Sequence, residues 1–210
     1  MTGEIEYFYS TRSSFTYLGH AEIVALALKH GRRLRHRPVL LSIVVPGTGG
    51  IPFQERHPAR LRQAWEDLQR WAKLRGIPIQ PEDPKHHYGT LELSSGLVVA
   101  AQNDPGVEQA ALDALAFEIL AALWRDDRDI SDPGVLTELC ATAGLADRTE
   151  SLLGRALDEA VQAEVLANSA EAVERGIIGA PTYVVDGESF FGQDSLGFVA
   201  RKLEAAAGRA

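Results

Sequence analysis

Two spacings of apolar residues divide the chain. Ile5 to Tyr9 is a short, mostly apolar run of strand length. Ser13 or Ser14 then offers the side-chain oxygen that the unpaired N–H groups of a helix N-terminus need. Tyr17, Leu18, Ala21, Val24, Ala25 and Leu28 recur every three or four residues and Gly31 ends the stretch, so the first unit reads strand, turn, helix. The segment LRHRPVLLSIVV, residues 34 to 45, predicts a second strand, rich in β-branched residues at its end. Strand character returns at TYVVD (182 to 186) and SFFG (189 to 192), joined by Asp186-Gly187 as a hairpin turn, and a last helix is predicted from about Asp194 to Ala206.

Helical spacing dominates the middle. His57-Pro58 opens a helix whose Trp65, Leu68, Trp71 and Ala72 share a face and which Gly76 closes. NDPGVEQ predicts another, with Asp104 as cap and Pro105 in the first helical position, and SDPGVL repeats the device at Asp132-Pro133. Two further helices are expected over 148 to 167 and 169 to 175, and the Pro- and Gly-rich segments 46 to 52 and 76 to 89 read as irregular connections.

At 210 residues and 45% hydrophobic, the chain suits one globular domain carrying a large insertion. A net charge of −8 repels phosphate backbones, so no nucleic-acid partner is expected. The basic run HGRRLRHRP (30 to 38) reads as a solvated strand face, with a carboxylate-binding patch as the alternative. A lone cysteine, Cys140, sits in an apolar helical context and allows neither an internal disulfide nor a zinc cluster. The adjacent pair His86-His87 brings no further metal ligands, so no metal is expected; it reads as a solvated loop, or as a loop near a substrate mouth. His20, His30, His36 and His57 read as surface or capping residues. The N-terminus lacks a hydrophobic signal core and no window approaches a membrane span, so the reading is a cytoplasmic protein with no membrane partner.

The order β-α-β, helices, β-β-α is that of an α/β, thioredoxin-like fold interrupted by a helical insertion. The expected division is a discontinuous thioredoxin-like domain at 1–45 and 176–210, with a helical insertion domain at 46–175. In that fold the N-terminus of the first helix carries the chemistry, because its unpaired N–H groups and dipole stabilise a thiolate. Here that position reads Ser13-Ser14-Phe15-Thr16, so any thiol must arrive with a ligand. Pro181, after Ala180, stands at the opening of a strand, either as a plain strand-opening proline or as the cis proline of thioredoxin folds beside which extended peptides pair. Asp194 and Ser195 stand at a helix N-terminus, where simple capping is the alternative role.

The chain resembles the 2-hydroxychromene-2-carboxylate isomerases and kappa-class glutathione transferases, which share a DsbA-like thioredoxin fold. SSFTYLG (13 to 19) is similar to the family's opening motif, and GIIGAPTYVVDGESFFGQDSL (176 to 196) matches its closing motif almost throughout. WEDLQRWAKLRGIPI (65 to 79) and LWRDDRDISDPGVLTEL (123 to 139) resemble its insertion helices. Ser14 stands where the family has proline, and Gly89-Thr90 where it often shows asparagine before threonine.

The resemblance implies glutathione as cofactor, a homodimer, and an isomerase of aromatic catabolism that acts on 2-hydroxychromene-2-carboxylate-like compounds. Ser13 would be catalytic, donating a hydrogen bond to the glutathione thiolate. Ala180, Pro181, Asp194 and Ser195 would bind glutathione, and Arg12 and Gly89 would meet the substrate. Two rivals remain: a kappa-like transferase that conjugates electrophiles with the same activated thiol, and a non-catalytic peptide-binding module that keeps the edge at Pro181 but has no use for Ser13.

Overall fold

Four strands and nine α-helices form among residues 3–208, which the computed structural model describes; residues 1–2 and 209–210, at the outer ends of the expected 1–45 and 176–210 segments, lie outside it. The first unit is β1 (Glu4–Tyr9), α1 (Ser14–Lys29) and β2 (Arg33–Pro38). Seven helices follow: α2 (Leu41–Gly47), α3 (Pro58–Arg75), α4 (Glu92–Gln102), α5 (Gln109–Trp124), α6 (Pro133–Thr142), α7 (Thr149–Ala156) and α8 (Glu159–Glu174). The chain closes with β3 (Thr182–Val185), β4 (Glu188–Phe191) and α9 (Leu196–Ala207). Strand order is β2-β1-β3-β4, with β2 parallel to β1 and the other neighbours antiparallel.

Alternation along the strands divides the core between two faces. Ile5, Tyr7 and Tyr9 join Leu34, Tyr183 and Val185 in the larger cluster, with residues of α1, α4, α5 and α9. Phe8 and Val184 turn the other way, onto Val39, Val44, Ala172 and Ile177. The β3–β4 turn has positive φ at both central residues, Asp186 (49°) and Gly187 (83°), the conformation that suits a two-residue hairpin.

Several sequence expectations need correction. The second strand stops at Pro38, and residues 41 to 47 are helical because Val44 packs in the smaller core with Ala172 of α8, outweighing their strand propensity. The helix expected from Asp104 begins only at Gln109. The Asp104 carboxylate accepts from Gly106 N–H at 2.9 Å and pairs with Arg148 and Arg155, so it holds a turn. The expected break near residue 168 is absent, and the break falls at Leu157-Asp158. Asn168 and Ser169 are buried within α8, where Ser169 Oγ accepts from Leu40 N–H at 2.9 Å. Helix α4 has no counterpart among the expected helices.

His20 and His36 are not surface residues: they are 1% and 0% exposed. Tyr7 stacks between Tyr9 and Tyr183, at 4.4 and 5.3 Å. His36 Nδ1 lies 2.9 Å from the Tyr9 hydroxyl and its Nε2 lies 2.8 Å from Asp113 Oδ1, while His20 Nε2 reaches the Asp113 carbonyl at 2.9 Å.

Helices α4 and α7 pack together at Gly96, where a β-carbon would overlap the Ala156 carbonyl oxygen. Gly96→Ala is therefore expected to destabilise the protein by about 1–3 kcal/mol, read as a lower urea midpoint; an unchanged midpoint would show that the helices part freely.

Candidate functional site

The turn from β1 into α1 builds the centre of the site. Ser13 is the N-cap of α1: its Oγ accepts from Thr16 N–H at 3.2 Å, and its own N–H donates to Ser10 O at 2.9 Å. Behind it, Thr11 is buried with Oγ1 2.9 Å from Ser94 Oγ, which pins the turn to α4. The sixteen residues of α1 aim their dipole's positive end at Ser13.

Arg12 and Gly89, the two expected substrate residues, meet each other. Arg12 Nη2 donates to the Gly89 carbonyl at 2.6 Å, and the Arg12 carbonyl accepts from Trp124 Nε1 at 2.8 Å. Burial lowers the Arg12 pKa, opposed by the charges of Glu92 and Tyr88. A β-carbon at Gly89 would stand 3.3 Å from His86 O and 3.4 Å from Asp129 Oδ1, so the loop is closely packed there.

The contact between His87 and Trp124 is what sequence reasoning missed. Trp124 is 3% exposed, and the His87 ring meets it edge-on at 5.2 Å and packs on Phe53 and Tyr88. Burial pushes the His87 pKa down, and the Arg12 charge adds to that, while Asp83 opposes it. No helical or strand periodicity runs through the loop that bears His87, and Trp124 ends α5, so nothing in the sequence joins the two.

The Ala180-Pro181 bond is cis. Pairing between β1 and β3 ends at Phe8 and Thr182, so Ala180 and Pro181 lie beyond the ladder, on the same side as the Ser10–Ser13 turn. Asp194 and Ser195 belong to a 3₁₀ turn, Gln193–Ser195, that leads into α9. Neither that turn nor α9 has a side-chain cap. The Ser195 hydroxyl and N–H both donate to the Gly192 carbonyl, at 2.7 and 3.1 Å, while Asp194 is exposed.

Cys140 is buried on α6, and burial raises its pKa against a hydrogen bond with Thr149 that lowers it. A protonated, enclosed thiol is a poor nucleophile. Among the described residues no three His, Cys, Asp or Glu side chains gather as a metal site, and no helix is long and apolar enough to cross a membrane.

The chain is similar to a 2-hydroxychromene-2-carboxylate isomerase of Sphingobium xenophagum, at 26% identity over 95% of this chain and 97% of the relative. It is similar to the rat (Rattus norvegicus) glutathione S-transferase kappa 1, at 23% identity over 95% of this chain and 90% of that one. Among solved structures, the cytosolic disulfide reductase DsbM of Pseudomonas aeruginosa with GSH superposes with a TM-score of 0.68 at 21% identity, over 99% of this chain and 100% of that one. A family model described as DSBA-like thioredoxin domain matches residues 4–204. That match spans the sheet, the helical middle and both ends of the candidate site, and the chain belongs to the DSBA-like thioredoxin domain family.

Proposed function

We propose that this chain is a glutathione-dependent isomerase acting on 2-hydroxychromene-2-carboxylate-like aromatic catabolites, with Ser13 as its catalytic residue. The thioredoxin-like unit, 1–45 and 176–210, holds glutathione, and the helical insertion, 46–175, closes over the substrate. The observation that carries this reading is a hydroxyl, not a thiol, at the N-cap of a sixteen-residue helix in a chain whose one cysteine is buried elsewhere.

The residues fit a small thiol peptide. A hydroxyl has two acceptor lone pairs and one proton, so Ser13 accepts from Thr16 N–H and keeps its proton to donate to a thiolate. The main chain at Ala180, beyond the β1–β3 ladder and beside Pro181, pairs with an extended peptide. The opening of α9 faces the γ-glutamyl carboxylate, and the Asp194 carboxylate, not used as a cap, attracts the adjacent ammonium group. Ser195 keeps its hydroxyl oxygen as an acceptor, since its proton is already donated to Gly192. Arg12, locked to the Gly89 carbonyl one residue before Ser13, presents the remainder of its guanidinium to an anionic substrate.

When bound, glutathione would supply a thiolate that adds to a conjugated electrophile; isomerisation needs that thiolate to leave again, and conjugation keeps it in the product. Ser13 and the α1 dipole favour that anion over the thiol. Similarity to the isomerase and to the kappa transferase supports either outcome. A disulfide reductase reading has no support in the chain, because its only thiol is buried. Calorimetry with glutathione tests the cofactor, and loss of the substrate's absorbance without a glutathione adduct distinguishes isomerisation from conjugation.

Asp194→Asn is expected to weaken glutathione binding by about 1–2 kcal/mol, the difference between a charge-assisted and a neutral hydrogen bond, with little change in melting temperature. Unchanged affinity with lower stability would leave Asp194 a structural residue.

A further inference from the structure

Arg75, the last residue of α3, ties together three elements, with 16% of its side chain exposed. Its Nη1 donates to the carbonyl of Leu18 in α1 at 2.7 Å. Its Nη2 donates to the carbonyl of Gln193 at 3.1 Å and meets the Glu22 carboxylate at 2.9 Å. The Trp71 ring lies against the guanidinium, 5.4 Å from its carbon to the ring centre. A guanidinium is a planar, rigid fork, so bonding two carbonyls at once fixes their separation.

Those carbonyls sit at meaningful places. Leu18 lies in the helix that Ser13 caps, and Gln193 opens the turn that bears Asp194 and Ser195. On the side of this turn facing the sheet, contact is steric. A β-carbon on Gly19 would stand 2.7 Å from the Tyr183 hydroxyl and 2.9 Å from Gln193 Cβ. The buried Gln193 Oε1 and Tyr183 hydroxyl have no hydrogen-bond partner among the described residues. Among the described residues, the polar tie between the turn and α1 is therefore Arg75.

We propose that Arg75 is a positioning residue that sets the spacing between the Gln193–Ser195 turn and α1, and thereby the affinity for the γ-glutamyl end of glutathione. This rests on the reading that the turn takes that end. A ligand held at both Ser13 and Asp194 spans two elements, and Arg75 makes them one rigid frame. Lysine would keep the charge beside Glu22 but offers one nitrogen in place of the fork.

The test is calorimetry with two probes, glutathione and cysteinylglycine, which lacks the γ-glutamyl residue. Arg75→Met is expected to weaken glutathione about tenfold and leave cysteinylglycine within about twofold, with Arg75→Lys between wild type and Met. A merely structural role would move both probes together, or neither, while lowering the melting temperature; either result overturns the proposal. Gly19→Ala approaches the same turn from the other side, serves where Arg75→Met fails to fold, and is expected to show the same selective loss. Equal loss of both probes in Gly19→Ala also overturns it. Wild-type protein that binds neither probe refutes the glutathione reading itself, and the proposal with it. Wild-type protein that binds glutathione, with variants of unchanged affinity for it, refutes the proposal alone.

Discussion

Ser13→Ala is expected to lower turnover on the order of 10- to 1000-fold, as for loss of one donor from a charge-stabilising site, in a protein that stays folded. The structure sharpens what else the change removes. Ser13 Oγ also accepts from Thr16 N–H, so the variant loses a helix cap worth about 1 kcal/mol. The two losses are separable. Ultraviolet absorbance of the bound thiolate against pH follows the first and thermal melting follows the second. A titration identical to wild type with only the melting temperature moved would return Ser13 to a cap and favour the binding module. Ser13→Cys is not expected to rescue turnover, since a second thiol competes with the ligand's sulfur or forms a mixed disulfide with it.

Acidification from pH 7 to pH 4 is expected to remove about 3 kcal/mol of stability through His20. Burial lowers its pKa to about 4, the nearby His36 adds to that, and the contacts with Asp113 oppose it. The unfolded chain, with an ordinary value of about 6.5, therefore takes up the proton first as pH falls. Stability is complete above about pH 6.5 and declines toward pH 4. His87, also pushed down by burial, acts with the same sign. Carboxylates with depressed values enter only lower down. Glu6, which burial raises but Arg175 and Arg37 lower further, gives up its contribution as pH falls below the ordinary carboxylate range. Urea unfolding at a series of pH values between 4.5 and 6.5 isolates the histidine part. His20→Gln is expected to flatten the slope there, whatever it does to stability at pH 7. A slope equal to that of wild type would mean that water reaches the ring.

Local chemistry was legible in the chain, and long-range chemistry was not. Asp132-Pro133 and Asp104-Pro105 are the same device in sequence. Asp132 caps its helix by accepting from Gly134 and Val135 N–H, whereas Asp104 meets two arginines that the fold brings from more than forty residues away. Helix α4 escaped notice for a related reason. Residues 93 to 101 are all buried, so there is no polar face to mark a helical period. His20 and His36 look like ordinary surface histidines until Asp113, on α5, is packed against them. In the candidate site, Ser13, Arg12 and the Ala180-Pro181 pair stand out through their place beside strand ends. Arg75, His87 and Trp124 acquire meaning only from carbonyls and rings supplied by distant segments.

The enclosure of Cys140 within α6 bears on how such a site ages. A protein thiolate oxidised to a sulfinic or sulfonic acid is lost with its chain. On the proposed reading the reacting sulfur belongs to a diffusible tripeptide, so an oxidised copy would leave and a fresh one take its place. The durable parts are a hydroxyl, a helix end and two carbonyls gripped by an arginine, none of which peroxide attacks under ordinary conditions. Inactivation by oxidants should then follow the state of the surrounding glutathione pool and reverse when that pool is restored, with no repair of the polypeptide.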